Sequence, residues 1–528
     1  MRQTALARPT RRRPGGLQAV ARGDSVPPPV GGWDAISPLA NMQPDRAVQL
    51  DNWFPQPGYV EIRKGFVEHS DTTEATPVES LMAYHGATAS ADRLFAAAND
   101  TIYDVTTDTP ASAVTPLNNV RFQHVNIATS GGKFLWVCNG ADTPRYYDGS
   151  TWSSVTITGI TAANIISVNE HLNRLWFVLK DSTKAAYLPV DSIQGAATEF
   201  DLGGVFDRGG YLVAMGTWSV DGGDGPEDYA AFVSSKGQVA IYTGIDPDSA
   251  TTWQLKGVYL IGPPIGRRCF TRVGADLAII SIDGVLPISR ALVVERGAAI
   301  SVALTANIQP VMAQAARDWA GNFGWQLISY PRGTRAILNV PALEGSSQQQ
   351  YVMNTVTGGW CRFLAQQANC WEVFQDQLFF GGNAGIVYKA DVGGSDDGDA
   401  ITATLKTAFN YFGQRGNQKR WSMCRPILTT DGQISPGISF NVDFADDATF
   451  STPDSSITPG AQWDQAVWDS DVWPADELTT ADWTTVSGIG YCASIGVRVN
   501  ALSTGGPDLA PTLRVNGFDV LYETGAFI

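Results

Sequence analysis

The sequence predicts an all-β fold organised around a β-propeller, and three observations predict it. The first is a repeated phrase: apolar strand formers, a glycine-containing break, then a second short apolar run that ends in a turn. It is clearest in FLWVCNGADTPRYYDGSTW, from Phe134 to Trp152. There Phe134, Leu135, Trp136 and Val137 run into Asn139-Gly140, Tyr146-Tyr147 follow, and Asp148-Gly149 turns the chain before Trp152. The second is spacing, since Leu94, Leu135 and Leu175 open successive copies at steps of 41 and 40 residues. That is close to the length of a four-stranded blade. The third is composition: 54 Gly and 29 Pro punctuate 22 Phe, 16 Tyr and 16 Trp, which suits many short strands between many turns.

Taken in order, residues 1–33 are rich in Arg, Pro, Gly and Ala and end in Pro27-Pro28-Pro29, so they are expected to form a flexible basic arm. Arg22-Gly23-Asp24 within it spells an adhesion tripeptide that chance alone supplies. Residues 34–79 form a second segment, with an aromatic turn at Asn52-Trp53-Phe54-Pro55 and an alternating strand from Tyr59 to Arg63. The propeller is expected over 80–391, with blade-like hairpins near 94, 135, 175, 232, 279, 328 and 379, about seven in all. One helix interrupts it: Pro310 suits a first helical turn, and Val311, Met312, Ala315, Ala316 and Trp319 share a face.

Residues 392–528 read as an additional C-terminal β region. The acidic glycine-rich stretch at 391–399 is expected to be a solvated loop, and Ile401 to Phe412 a strand. A Trp-rich loop at 461–484 places Trp463, Trp468, Trp473 and Trp483 at spacings of 5, 5 and 10, which fit neither one helix face nor one strand face. They are expected to form turns or short edges that cap a sheet, with Trp463, Trp468 and Trp473 as candidate partner contacts in the alternative reading. Ala493 to Val499 and Leu513 to Tyr522 read as strands, the second with a bulge near Gly517.

The phrase LDNWFPQPGYVEIRKG, from Leu50 to Gly65, resembles the N-terminal signature of the tail nozzle, or packaged-DNA stabilisation, proteins of short-tailed bacteriophages. The closing RVNGFDVLYETG, Arg514 to Gly525, resembles the last strand of the same family. The resemblance implies a structural virion subunit, arranged as a six-fold ring below portal and adaptor, that retains packaged double-stranded DNA and conducts it during ejection. It implies as partners other copies of the chain, a head-tail adaptor, a tail fibre or tail spike, and a needle or plug protein, with synthesis in the host cytoplasm.

Charge fits a conduit that does not grip its cargo. The formal net charge is -16, and residues 1–22 hold six Arg and no acid, so the remainder sums to -22. Phosphates are repelled by such a surface, whereas an arginine-lined wall would release counterions and hold the duplex. The acidic excess is therefore expected to face the lumen in part. Arg8, Arg11, Arg12 and Arg13 of the arm are the candidate contacts to an acidic surface on the adaptor or a neighbouring subunit.

Motifs for chemistry are missing from the sequence. The four His, at 69, 85, 124 and 171, form no HExxH, and each is expected on a surface or hairpin. There is no GxxxxGK[ST], and Gly381 to Gly385 reads as a hairpin turn. The six Cys lie apart without a CxxC pair and are expected to be buried free thiols. No enzyme activity, cofactor or metal is expected, and no apolar run reaches the 18 or so residues a membrane span needs. The alternatives are a glycan-binding or glycan-cleaving propeller protein and a receptor-binding tail protein. A sialidase-type Asp box would favour the first, but Tyr147 to Trp152 carries its Asp-Gly only once and at the wrong spacing. A fibrous, repetitive C-terminal half would favour the second, and the sequence lacks one.

Overall fold

The computed structural model describes residues 21–221, 226–249, 251–274, 276–431, 436–445, 449–450, 478–502 and 512–525. Strand dominates throughout, and six sheets carry the blade pattern of a β-propeller. Blade 1 consists of Val78–Tyr84, Arg93–Ala98, Thr101–Asp104 and Ala111–Val114, and blade 2 of Gln123–Thr129, Gly132–Cys138, Arg145–Tyr147 and Trp152–Ser154. Blade 3 is Ile165–His171, Arg174–Leu179, Lys184–Tyr187 and Thr198–Asp201. Blade 4 is Leu212–Asp221, Pro226–Ser234, Gln238–Thr243 and Gln254–Leu260. Blade 5 is Gln326–Tyr330, Arg335–Leu343, Ser347–Asn354 and Trp360–Phe363. Blade 6 joins Cys370–Phe374, Gln377–Gly381 and Ile386–Val392 to an N-terminal strand, Gly65–Asp71. Between blades 4 and 5 stands a three-stranded sheet, Phe270–Val273, Asp276–Ser281 and Gly284–Pro287.

The second strand of each blade is apolar on both faces because each sheet is covered by a neighbour on either side. In blade 2, Leu135 and Val137 pack with Met82 and Phe95 of blade 1. Trp136 and Cys138, pointing the other way, pack with Leu175 and Phe177 of blade 3. Trp136 stacks on Phe177 with ring centroids 4.9 Å apart. The turn that ends the hairpin is equally local in origin. Gly149 sits at φ +96°, and the Asp148 carboxylate accepts the backbone N–H groups of Ser150 and Thr151 at 2.8 and 2.7 Å. Those bonds, that from Thr151 foremost, hold the Asp148 pKa down at about 2.

Blade 6 closes the ring in two ways. Ile386–Val392 pairs antiparallel with Gly65–Asp71, with Val387 opposite Ser70 and Lys389 opposite Val67. Cys370, Phe374, Phe379 and Val387 pack with Val78, Leu81 and Ala96 of blade 1. The propeller therefore takes its first strand from residue 65, within the stretch expected to precede it.

The remaining strands extend the propeller. Blade 5 continues past Trp360–Phe363 into Arg46–Asp51, Ile401–Thr407, Ala493–Ala501 and Gly437–Val442, a nine-stranded sheet that also includes Gly32–Trp33. A seven-stranded sheet holds Lys419–Thr430, Leu513–Thr524, Tyr59–Ile62 and Trp53–Gln56, with Ala21–Val26, Leu478–Thr480 and Thr484–Gly490. Its register places Glu61 opposite Arg514 and Val60 opposite Val515. Leu513, Val515, Phe518, Val520 and Tyr522 are all buried, and the register shifts between Ile427 and Leu428, opposite Gly517 and Val515. The expected bulge is there.

Several expectations are corrected. Only residues 21–33 of the expected arm are described, and they are not free chain: Ala21–Val26 pairs with the last strand, placing Arg22, Gly23 and Asp24 opposite Tyr522, Leu521 and Val520. Arg8, Arg11, Arg12 and Arg13 lie outside the described residues, as do Trp463, Trp468 and Trp473. The about seven hairpins resolve into six four-stranded blades and the three-stranded sheet, because the hairpin near 279 acquires no fourth strand among the described residues. His171 lies in a hairpin as expected, opposite Arg174, but is buried. The helix forms as expected, Gln309–Trp319 with Met312, Ala315 and Ala316 buried, and follows two shorter helices, Ile288–Ala291 and Arg296–Val302.

The acidic stretch at 391–399 is the largest correction. Asp396 is buried, and both its oxygens accept from Arg63, at 2.7 Å from Nη1 and 2.6 Å from Nη2. Arg63 also donates to Asn52 Oδ1 and to the Lys64 and Leu364 carbonyls. Asp391 accepts from Arg335 at 2.6 Å, and that guanidinium lies over Phe54 at 4.7 Å. Loop and strand approach so closely that a Cβ at Gly65 would sit 1.8 Å from the Ser395 carbonyl oxygen. Gly65→Ala is expected to destabilise by about 1–3 kcal/mol through that overlap; an unchanged urea midpoint would show that the loop moves aside freely.

Candidate functional site: the propeller channel

The inner strands of the sheets surround a cavity of about 380 Å³, lined by Asn126, Asn169, Thr217, Arg267, Arg268 and Arg272 among others. Most of its polar groups tie one sheet to the next. Asn126 donates to the Ala83 carbonyl and accepts from the His85 N–H, joining blades 1 and 2. Asn169 donates to the Thr217 hydroxyl at 2.8 Å, joining blades 3 and 4. Thr271 donates to the Leu327 carbonyl, and Gln326 exchanges two hydrogen bonds with the Trp371 backbone.

Arg268 does more than join neighbours. It precedes the three-stranded sheet, yet its Nη2 donates to the Glu79 carbonyl, Ser80 Oγ and the Phe122 carbonyl, at 3.0, 2.8 and 3.1 Å. Those acceptors belong to blades 1 and 2, so the side chain crosses the channel. Arg267 crosses beside it to the Asn139 carbonyl at 3.3 Å. Phe323 meets both the Arg268 and Arg121 guanidinium groups, 5.0 and 4.3 Å from its ring centroid, and Arg121 is held by Glu79 at 2.8 Å. This layer obstructs the channel at one level. A second cavity of about 510 Å³, where the inner strands end, is lined by His85, Asp92, Glu372 and Asp376 and is acidic. His124 stands 3.3 Å from Glu372.

His171 belongs to the same ring of contacts. The Thr217 hydroxyl gives its one proton to the Glu170 carbonyl, so at 3.2 Å the His171 Nδ1 must be the donor. The Nε2 then has no partner among the described residues, and the ring meets Trp253 edge-on at 5.9 Å. Burial pushes the His171 pKa down to about 4, against about 6.5 in an unfolded chain. Between those values the unfolded state binds the extra proton, so stability is full above about pH 6.5 and falls as pH drops towards 4. Acidification across that window is expected to cost roughly 3 kcal/mol at this site. Denaturant melts of wild type and His171→Gln from pH 7 to 4.5 check it, since the variant should lose that part of the slope.

All six cysteines are buried and unpaired, and burial raises the Cys269 and Cys370 thiols to about 12. Among the described residues no three His, Cys, Asp or Glu side chains gather as a metal site, and no helix is long and apolar enough to cross a membrane. Of the tryptophans at 461–484 only Trp483 is described; it is 37% exposed beneath the Arg425 guanidinium at 4.7 Å. The channel arginines were not singled out from the sequence, and Arg267-Arg268 was its only local signal.

No family model matches the chain, and no curated protein matches it. Solved structures that resemble it include Saccharomyces cerevisiae Sqt1 and the computationally designed protein Ika8, each at TM-score 0.35 over 62% of this chain and 99% of the other, with 9% and 10% identity. The extracellular domain of BT4673 from B. thetaiotaomicron resembles it at TM-score 0.37 and 8% identity, over 88% of this chain and 64% of that one. Similarity at this level carries no argument about function.

Proposed function

We propose that the chain is a structural subunit of the nozzle of a short phage tail, six copies of which surround a conduit for packaged double-stranded DNA. The observation that carries this reading is the meeting of the two stretches that resemble that family. Tyr59–Ile62 from the first and Leu513–Thr524 from the second are hydrogen-bonded neighbours in one sheet, so the resemblance falls on one structural unit. We count the three-stranded sheet as a seventh, shortened blade.

The obstructed channel supports a conduit bounded by several copies. A duplex whose major groove alone is about 12 Å wide has no passage through a channel that Arg268 spans. In this reading the acidic surface faces the shared lumen, Arg8, Arg11, Arg12 and Arg13 meet the adaptor or the next subunit, and Trp463, Trp468 and Trp473 meet a fibre, spike or plug. The protein acts in the virion by assembly and electrostatics. The test is complementation: purified chain added to phage heads that carry adaptor but lack the distal tube should render their DNA resistant to nuclease. Heads that stay leaky at saturating protein would refute the proposal.

A further inference from the structure

We propose that the propeller channel is a binding site for a small oxyanion carrying two or more negative charges, of phosphate or polycarboxylate chemistry. Three arginines from one short segment, Arg267, Arg268 and Arg272, line the 380 Å³ cavity. None of the three makes a salt bridge among the described residues, and Arg268 feels only the more distant charges of Glu372 and Glu79. Elsewhere in the chain other arginines are neutralised: Arg121 by Glu79 and Glu344, Arg174 by Asp246, Arg296 by Asp283.

In the channel the acceptors are neutral. Arg268 uses Nη2 on two carbonyls and a hydroxyl, and its other N–H groups have no protein acceptor among the described residues. Arg267 reaches one carbonyl, and Arg272, exposed on the inner strand, has no side-chain hydrogen bond among the described residues. Glu170 lines the same wall but accepts from the Asn173 backbone N–H at 2.6 Å. Three like charges converging on one concavity repel one another, and the repulsion is relieved by an anion between them. In a chain of net charge -16 the site gathers three cations within a cavity walled by protein, where field lines concentrate. Guanidinium groups with free N–H donors match the paired oxygens of phosphate or carboxylate. The volume falls within the ordinary range of small-ligand sites. This site is separate from the proposed DNA conduit and stands whether or not the nozzle reading does.

Calorimetric titration of the full chain at low ionic strength, with inorganic pyrophosphate in one arm and citrate in the other, tests the proposal and distinguishes the two chemistries. Saturable binding of at least one is expected, weakened tenfold or more in Arg272→Ala. Arg290→Ala, an exposed arginine outside the channel, should bind as wild type does, and circular dichroism should show both variants folded. No saturable binding of either anion overturns the proposal. So does unchanged affinity in Arg272→Ala, or an equal loss in Arg290→Ala.

Discussion

Asp396→Ala is expected to lower the free energy of the first unfolding transition by about 3–5 kcal/mol, because it leaves a guanidinium buried without its counter-charge. The Arg63 side chain is fully buried and Asp396 nearly so, at 0% and 5% exposure. The pair also sits where three parts of the chain meet. Arg63 follows the strand Tyr59–Ile62, its other acceptors come from Asn52 and from Leu364 beyond blade 5, and Asp396 follows the last strand of blade 6. Phe66, in the strand that closes the ring, donates its backbone N–H to the Ser395 carbonyl beside it. Replacing both partners with apolar residues, as Arg63→Met with Asp396→Leu, should recover much of the loss, since no charge is then stranded. A urea midpoint for Asp396→Ala within experimental error of wild type would show that the pair does not hold the ring closed.

Trp176→Ala should cost a similar amount, about 3–5 kcal/mol, by opening a cavity between blades 3 and 4. The indole is buried, lies parallel to Trp253 at 5.4 Å, and contacts Tyr187, Phe200 and Phe232 at 4.7, 5.8 and 5.5 Å. Its Nε1 has no partner among the described residues, so the change sacrifices packing and no hydrogen bond seen there. Trp176→Phe should lose much less, because a ring remains in the stack. Equal destabilisation by Phe and Ala would contradict a packing origin.

What the sequence made legible was local. Phe134 to Trp152 declares its hairpin because strand formers, Asn139-Gly140 and Asp148-Gly149 all act within a few residues of one another. Gly517 announces a bulge, and Pro310 a helix start, for the same reason. Illegible features depend on pairings across hundreds of residues. Val387 meeting Ser70, Arg63 meeting Asp396 and Ala21–Val26 joining the final strand leave no periodic trace. The acidic stretch at 391–399 has the composition of a solvated loop, and only its distant arginines make it an internal one. The channel was hidden likewise: Arg267, Arg268 and Arg272 sit in an unremarkable segment, and their convergence with Asn126 and Asn169 exists only once the sheets are arranged around an axis.

Electron cryomicroscopy of the chain assembled with a head-tail adaptor tests the central claim most directly. Six copies should ring an axial opening wide enough for duplex DNA, with that opening outside every propeller and each propeller's own channel still crossed by Arg268. A chain that stays monomeric beside the adaptor, or a duplex threaded through the propeller axis, would contradict it.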